Sequence, residues 1–297
     1  MKIRVIVNRS GGTLKGKADS GQGIAAAFAA AGVDADVRMT DSADIDDALK
    51  DAAAAPGLDA VVAGGGDGTL SSAAGHLAGT GRPFGILPLG TLNHLARDAG
   101  IPADIEAAAR MIAAGHVREI DVAEVNGRVF VNNSSVGLYP DMVLLREFEQ
   151  EKRGRSKRMA MLSASLKSLR HFRRHKLWIS APGLETPIRT PLLFVGNNRY
   201  QVNLFGLGKR ERLDEGELCL YAIRARSRLH LFWAGIRGVF GRLDQQRDFI
   251  TAYVTEAEIG ADRPVLILSA DGETVRMETP LRYRIRPKAL RLIVPAR

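Results

Sequence analysis

The chain has 297 residues, of which 45% are hydrophobic, so it is long enough to bury one large core or, as we expect, two smaller ones. No apolar run approaches the ~20 residues that a membrane-spanning helix requires, and the single cysteine, Cys219, excludes an internal disulfide. The formal net charge of +9 favours an anionic partner, such as a phosphorylated substrate, an acidic membrane surface or a nucleic acid.

The first third of the chain alternates strand-like and helix-like segments. Apolar runs predict strands at 3–7, 35–39, 60–63 and 84–87, and alanine-rich stretches predict helices at 24–31, 45–55 and 70–78. Strands that alternate with helices in this way are typical of a parallel sheet covered by helices. We therefore expect an N-terminal α/β domain.

A glycine-rich turn, Gly64-Gly65-Gly66-Asp67-Gly68-Thr69, lies between the third predicted strand and the third predicted helix. Glycines allow the backbone to approach a ligand closely, and free N–H groups at a helix N-terminus favour an anion such as a phosphate. The spacing matches neither the dinucleotide motif GxGxxG nor the Walker motif GxxxxGK[ST], and a tight connection without a ligand is the alternative. Polar turns at 8–12 and 88–93 follow two other predicted strands, so one crevice at the carboxyl edge of the sheet could collect all three.

From about residue 121 the pattern changes to short strand-like pieces separated by turns. The pieces lie at 127–132, 177–180, 191–195, 218–223, 251–254, 265–269 and 281–285. They predict a mainly antiparallel second domain, a β-sandwich. The strand-like run 290–294 is expected to return to the first domain. The predicted α/β domain therefore comprises 1–122 completed by 287–297, the predicted β-sandwich domain comprises 123–286, and the active site is expected in the cleft between them.

Basic residues are concentrated in two segments, 152–176 and 224–247, where they are mixed with apolar residues. Basic amphipathic segments of this kind can lie in a membrane interface, and they can equally form a solvated face over a packed core. The sequence leaves both interpretations open.

Short motifs along nearly the whole chain carry a resemblance to a known family. They lie, in order, at 8–11, 65–69, 89–93 with 96–97, 130–137, 194–198, 213–216, 271–273 and 287–295. With these motifs the chain resembles the diacylglycerol kinase-like lipid kinases, a family that includes sphingosine and ceramide kinases. The Gly-Gly-Asp-Gly-Thr turn alone is shared with NAD kinases, but its combination with Leu-Gly-Thr-Leu-Asn and Asp-Gly-Glu is far more specific.

The resemblance implies transfer of the γ-phosphate of ATP to the hydroxyl of diacylglycerol or a related lipid. It implies ATP and Mg as cofactors, with magnesium bridging phosphate oxygens. Backbone N–H groups of the glycine turn would hold the phosphates. The residues that the resemblance assigns to the ATP site are Asn8, Ser10, Gly11, Thr40, Gly64, Gly65, Gly66, Asp67, Gly68, Thr69, Gly90, Thr91 and Asn93.

Glu273 is the candidate general base, with Asp271 beside it as an orienting or second carboxylate. Residues two apart in an extended segment face the same side, so the two carboxylates could converge on one cleft wall. The alternative is a hairpin turn, Ala-Asp-Gly-Glu, between the strand-like runs 265–269 and 274–277. The resemblance favours the catalytic interpretation.

In related soluble bacterial enzymes a structural magnesium ion lies near an acidic turn. The candidate metal residues of the matching stretch are Arg212, Asp214, Glu215 and Glu217, with Glu215 at the position of the family's metal-binding Asp. Magnesium demands nearly octahedral geometry, so an altered or empty site is the alternative. A second departure is His94, which stands where many relatives carry Asp.

Two other functions remain open at this stage. An NAD kinase-like phosphotransferase would use a soluble acceptor, and a nucleotide-regulated binding protein would lack turnover. Nucleic acid is not expected as a partner, because the basic residues follow no recognition-helix or aromatic sheet motif. We expect a cytoplasmic protein that associates peripherally with an anionic membrane surface, where its lipid substrate lies. A homodimer is a further alternative that the sequence leaves open.

Overall fold

The computed structural model describes residues 1–10, 20–137, 175–182, 184–200, 202–203, 206–207, 210–223 and 249–296. The helices in this part of the chain are α1 (Ser20–Ala30), α2 (Ile45–Ala54), α3 (Asp67–Leu77), α4 (His94–Asp98) and α5 (Ile105–Ala114). The strands up to residue 137 are β1 (Lys2–Asn8), β2 (Asp34–Thr40), β3 (Ala60–Gly65), β4 (Pro83–Pro88), β5 (Val117–Val125), β6 (Arg128–Phe130) and β7 (Asn133–Gly137). The later strands are β8 (His175–Ala181), β9 (Leu184–Thr190), β10 (Leu192–Asn197), β11 (Val202–Asn203), β12 (Gly206–Leu207), β13 (Leu218–Ile223), β14 (Phe249–Val254), β15 (Glu256–Ala261), β16 (Val265–Ala270), β17 (Glu273–Glu278) and β18 (Leu281–Ile293).

The N-terminal region contains the predicted parallel sheet. Its strands pair in the order β2-β1-β3-β4, so that Val5 on β1 lies between Val37 on β2 and Val62 on β3. Strand β3 is buried along its whole length, as expected for a parallel strand with helices on both faces. The prediction of an N-terminal α/β domain is confirmed.

Helices α2 and α3 pack against each other beside this sheet. In α2 the buried residues Ile45, Leu49 and Ala52 recur every three or four positions and form one apolar face. Helix α3 follows β3 after a single residue, Gly66, which places its N-terminus at the carboxyl edge of the parallel sheet. Three of the four strand ends at this edge are therefore close to the start of α3.

The C-terminal region consists of two mainly antiparallel layers. One is a six-stranded sheet in the order β14-β13-β10-β7-β16-β17. The other contains β8, β9 and β15 with parts of β5 and β18, and it continues the sheet of the first region. The core between them includes Val195, Leu220 and Leu268 from the first layer and Ile179 and Ile259 from the second. The prediction of a C-terminal, mainly antiparallel β domain is confirmed.

Strand β18 takes part in both regions. Its first half pairs antiparallel with β15, and in its second half Arg291 and Leu292 pair parallel with β4 of the first region. The core of the first region includes Val122 and Leu290, whereas the core of the second includes Ala123 and Ile285. The domain boundaries themselves stay a prediction, because β5 and β18 run across them without a break in the sheet.

The two basic segments fall almost wholly outside the described residues. Segment 224–247 lies outside them, and so does segment 152–176 apart from its last two residues. Their placement at a membrane interface or over a packed core stays a prediction. Within the described part of the chain, no helix has the length and apolar character needed to cross a bilayer.

Candidate functional site

A cleft of about 770 Å³ lies between the two regions at the carboxyl edge of the parallel sheet. The first region contributes the turns that follow β1, β3 and β4 and one face of α2 and α3, whereas β6 and the start of β17 form the opposite wall. The polar turns predicted to share one crevice do meet here. The predicted site residues that line it are Asn8, Ser10, Gly66, Asp67, Gly68, Thr69, Gly90, Thr91 and Glu273.

The glycine turn presents the N-terminus of α3 to the cleft. Gly66 is the N-cap of this helix, and no side chain among the described residues caps it. The first N–H groups of a helix lack intrahelical partners, and the helix dipole favours an anion near them. The turn can therefore hold a phosphate group.

Close contacts with neighbouring atoms explain why glycine is needed in these turns. A Cβ on Gly90 would lie 2.4 Å from the Cα of Gly66, and a Cβ on Gly65 would lie 2.6 Å from Thr69. The turns after β3 and β4 therefore touch through their backbones. Gly64 and Gly65 are buried in β3 and do not line the cleft.

Asn8 joins the end of β1 to α3. Its Oδ1 accepts hydrogen bonds from the Ser10 N–H at 2.9 Å and from the Ser42 hydroxyl at 3.1 Å. Its Nδ2 donates to Thr69 Oγ1 at 3.3 Å. The amide thus fixes the floor of the cleft beside the glycine turn.

Thr40 and Asn93 support the cleft without lining it. Thr40 pairs with Asn8 at the end of β2, and its carbonyl accepts the Arg9 N–H at 2.9 Å. Asn93 holds the turn after β4, because its Oδ1 accepts the Gly90 N–H at 2.9 Å and its Nδ2 donates to the Gly90 carbonyl at 2.8 Å. Gly11, also assigned to the ATP site, lies outside the described residues.

Asp67 links the glycine turn to α4. Its Oδ1 accepts a hydrogen bond from the backbone N–H of His94 at 2.7 Å. The second oxygen has no hydrogen-bond partner among the described residues, and the residue lines the cleft. A carboxylate in this position suits contact with a cation that accompanies a phosphate.

The carboxylate of Glu273 lies over the glycine turn. A Cβ on Gly68 would be only 2.8 Å from Glu273 Oε1, so glycine at this position makes room for the carboxylate. The other oxygen, Oε2, accepts a hydrogen bond from Arg128 Nη2 at 2.6 Å. The side chain of Glu273 is 55% exposed, which leaves it accessible from the cleft.

Asp271 does not share this wall, which corrects the expectation of an extended segment. Residues 271–272 form the turn of the β16–β17 hairpin, with a φ of 47° at Asp271, and the catalytic role of Glu273 stays a prediction. The buried carboxylate accepts hydrogen bonds from the Ser71 hydroxyl at 2.6 Å and from three successive backbone N–H groups, those of Val131 (2.7 Å), Asn132 (2.8 Å) and Asn133 (3.0 Å). Burial raises the pKa of the Asp271 carboxyl, and these hydrogen bonds oppose the shift because they favour the ionised form. Asp271 anchors the hairpin that carries Glu273.

The residues predicted to hold a structural magnesium ion do not line the cleft. Their carboxylates have partners within the protein: Glu215 accepts the Arg199 N–H at 2.8 Å, Glu217 pairs with the Arg199 guanidinium, and Asp214 pairs with Arg212 at 3.1 Å. Among the described residues, no cluster of three or more His, Cys, Asp or Glu side chains could hold a metal ion. A magnesium site at Arg212, Asp214, Glu215 and Glu217 therefore stays a prediction.

Sequence reasoning missed several side chains that line the cleft, among them Asp46, Ser72, His76 and Arg128. Asp46 on α2 accepts a hydrogen bond from the Ser72 hydroxyl at 2.5 Å and shares one with His76 Nε2 at 2.9 Å. These hydrogen bonds, the one from Ser72 first, lower the pKa of the Asp46 carboxyl. The spacing of four between Ser72 and His76 signals one helix face. Arg128, in contrast, lies 145 residues from Glu273, and no sequence pattern connects them.

The fold and the glycine turn define a class of phosphotransferases that combine an α/β domain with a β domain. The family model of the diacylglycerol kinase catalytic domain matches residues 2–125. A Pseudomonas fluorescens (strain Pf-5) protein named probable lipid kinase YegS-like is 32% identical over 278 residues, which cover 90% of this chain and 87% of that protein. A protein of the same name from Pseudomonas aeruginosa (strain PAO1) is 33% identical over 291 residues, which cover 95% of this chain and 93% of that protein.

Comparison with solved structures supports the fold. The crystal structure of a diacylglycerol kinase from Bacillus anthracis str. Sterne superimposes with a TM-score of 0.70 at 20% identity, covering 99% of this chain and 96% of that chain. The two Pseudomonas relatives establish that the chain belongs to the family of diacylglycerol kinase-like lipid kinases. The resemblance predicted from the motifs is confirmed.

Proposed function

We propose that this lipid kinase transfers the γ-phosphate of ATP to a hydroxyl of diacylglycerol or a related lipid. The observation that carries this proposal is the position of Glu273, whose Oε1 lies 2.8 Å from the point that a Cβ on Gly68 would occupy. A proton acceptor and an anion site thus lie on facing walls of one cleft. Direct transfer between a bound phosphate and a hydroxyl requires such proximity.

The nucleotide phosphates are proposed to lie along the turns after β3 and β4. The uncapped N–H groups at the start of α3 would donate to phosphate oxygens, and the hydroxyls of Ser10, Thr69 and Thr91 line the same space. Asn8 would keep Ser10 and Thr69 in place through its hydrogen bonds to both. These residues bind and orient the donor.

Glu273 is proposed as the general base. As the acceptor hydroxyl attacks the γ-phosphorus, the new P–O bond forms, the bond from that phosphorus to the β–γ bridging oxygen breaks, and the hydroxyl proton passes to Glu273 Oε1. A positioned base contributes ~10²–10⁴-fold to the rate. Asp271 would act through Glu273, as a positioning residue that holds the hairpin turn.

Magnesium is proposed to enter with ATP, as part of the substrate. Asp67 fits contact with a water ligand of such an ion, because it lines the cleft with one oxygen outside its hydrogen bond to His94. The ion would neutralise charge on the phosphoryl oxygens. No role proposed for the residues of the cleft depends on a metal at Glu215.

We also propose that the enzyme works in the cytoplasm at an anionic membrane surface, where a lipid acceptor lies. The formal net charge of +9 supports this placement. Leu92 supports it as well, because its side chain lines the cleft and is 57% exposed, so that it could contact the apolar tail of the acceptor.

The test is phosphate transfer from γ-labelled ATP with magnesium to diacylglycerol, phosphatidylglycerol and sphingosine in mixed micelles, with NAD as a soluble acceptor in parallel. Glu273→Gln removes the base while keeping the shape of the side chain. Glu278→Gln, at the exposed end of the same strand, is the matched control.

Lipid labelling that falls by ~10²–10⁴-fold in Glu273→Gln and persists in Glu278→Gln is the expected result. ATP binding by Glu273→Gln should stay nearly intact, because the base does not hold the nucleotide. Label on NAD alone would assign the chain to NAD kinase-like chemistry. Equal activity of Glu273→Gln and wild type would remove the proposed base.

A further inference from the structure

We infer that Arg128 is a positioning residue for Glu273, an assignment that rests on the proposed function. Arg128 Nη2 lies 2.6 Å from Glu273 Oε2, and both side chains line the cleft. The guanidinium holds one carboxylate oxygen and leaves the other, Oε1, over Gly68. That second oxygen is the one placed to accept the proton of a substrate hydroxyl.

The backbone that carries Arg128 is itself firmly placed. Strand β6 follows the tight turn at Asn126 and Gly127, whose φ values are 46° and 84°, and Arg128 pairs with Val125 on β5. Directly after β6, the N–H of Val131 donates to the Asp271 carboxylate at 2.7 Å. Residues 128–131 therefore contact the β16–β17 hairpin at two points. Val131 binds the buried turn at Asp271, and Arg128 binds Glu273 at the surface of the cleft.

Glu273 needs such a partner because little else restrains its side chain. It is 55% exposed, and among the described residues Arg128 provides its hydrogen bond. A glutamate has several rotatable bonds, and displacement of a reacting group by about 1 Å can cost ~10²-fold in rate. The buried anchor at Asp271 fixes the backbone of the hairpin, whereas Arg128 fixes the direction of the carboxylate.

The charge of the cleft adds to this assignment. Among the described residues that line the cleft, Arg128 is the only Lys or Arg. Arg128 has two possible roles, binding the nucleotide phosphates or positioning Glu273. Steady-state kinetics distinguishes these roles. A residue that binds ATP raises KM for ATP, whereas one that acts through Glu273 lowers kcat.

The experiment compares Arg128→Ala, Arg128→Lys and the matched control Arg282→Ala in the lipid phosphorylation assay. Arg282 forms an ion pair with Glu258 at 3.1 Å, is 74% exposed and does not line the cleft. Each variant is also made in the Glu273→Gln background, and thermal melting is recorded for all. Methylguanidine is added to Arg128→Ala to replace the missing group.

We expect Arg128→Ala to lower kcat by ~10²-fold with KM for ATP unchanged. Methylguanidine should restore part of the rate, and Arg128→Lys should retain more activity than Arg128→Ala. In the Glu273→Gln background the Arg128→Ala change should cost nothing further, because its effect passes through the missing carboxylate. Melting temperatures should match that of Arg282→Ala, since exposed ion pairs add little to stability.

Three results would overturn the assignment alone: an active wild type with unchanged kcat in Arg128→Ala, a raised KM for ATP with normal kcat, or an additive loss in the double variant. An inactive wild type on every acceptor would overturn the proposed function and this assignment with it.

Discussion

The hydroxyl of Ser71 donates a hydrogen bond to the buried carboxylate of Asp271 at 2.6 Å, across 200 residues of sequence. Ser71 lies on α3, the helix that starts at the glycine turn, and Asp271 lies in the hairpin turn just before Glu273. The proposed anion site and the proposed base are therefore linked by a direct hydrogen bond between α3 and the hairpin turn.

Asp271→Asn should destabilise the protein by about 1–3 kcal/mol, because an NH₂ group then faces a hydrogen-bond donor in a buried site. Ser71→Ala should cost about 0.5–1.5 kcal/mol. Ser72→Ala is the control from the same helix, since Ser72 donates to Asp46, whose side chain is 66% exposed. Urea unfolding measures all three free energies. Equal stability of Asp271→Asn and wild type would contradict the anchoring role.

Gly68→Ala should lower kcat by ~10²-fold, because the new methyl group would lie 2.8 Å from Glu273 Oε1 and displace the carboxylate. Gly23→Ala on α1 is the control, with no atom within 4 Å of its new Cβ. Loss of a helical glycine there should add about 0.5–1 kcal/mol of stability. Steady-state kinetics with the lipid that the wild type phosphorylates measures kcat for Gly68→Ala and for Gly23→Ala. Full activity of Gly68→Ala would mean that the carboxylate need not lie where the structure has it.

Asp98→Ala should destabilise the protein by about 3–5 kcal/mol, because it leaves the guanidinium of Arg210 buried without its counter-charge. Arg210 is 0% exposed, Asp98 is 2% exposed, and their atoms Nε and Oδ2 lie 2.9 Å apart. Glu258→Ala, which breaks the exposed pair with Arg282, should cost at most about 1 kcal/mol. Thermal and urea unfolding measure the loss of stability in Asp98→Ala and in Glu258→Ala. Similar losses in the two variants would show that the hydrogen bonds from Arg210 to oxygens of Val131, Asn132 and Asn197 suffice to stabilise its charge.

Cys219 should not react with thiol reagents in the folded protein. Burial raises the pKa of its thiol to about 12, so at about pH 8 the reactive thiolate amounts to only ~10⁻⁴ of the population. Reaction should begin when urea unfolds the chain. Absorbance with a chromogenic disulfide reagent follows both phases, and fast labelling of the native protein would contradict the buried position of the thiol.

Binding to vesicles should require anionic lipid and weaken as salt is raised, because the formal net charge is +9 and exposed charges are screened over ~10 Å at 0.1 M salt. Co-sedimentation with vesicles of phosphatidylglycerol and phosphatidylcholine measures this, with pure phosphatidylcholine as the control. Binding that does not change with salt would exclude an electrostatic basis for membrane association.

Periodicity predicted most elements because it reports which faces of a segment are buried. Strand β13 spans residues 218–223 as predicted, and α2 starts at Ile45 as predicted. The meeting of the three polar turns followed from a geometric rule, since the carboxyl ends of parallel strands share one edge of the sheet. The sequence therefore predicted which turns line the first wall of the cleft.

The opposite wall of the cleft, formed by β6 and the start of β17, could not be predicted in the same way. Its arrangement depends on contacts between residues far apart in the sequence. A spacing of two between Asp271 and Glu273 could not distinguish an extended segment from a hairpin turn. Donors at Ser71 and at residues 131–133 hold Asp271 in its left-handed conformation, and they lie 138 or more residues away in sequence. The pairing of Arg128 with Glu273 is equally non-local, and the resemblance to a family named the base without naming its partner.

The position of β18 has a consequence for biosynthesis. Its second half pairs with β4 and β5 in the middle of the large sheet, and its residues Leu290, Leu292 and Ile293 are buried in the core of the first region. During synthesis on the ribosome, the edge of β4 that pairs with β18 therefore stays unpaired until residues 290–293 emerge. We call this unpaired edge the seam. Nascent chains would expose that seam to chaperones for most of their synthesis. Cleavage before residue 290 in the mature enzyme would reopen the seam at the centre of the sheet.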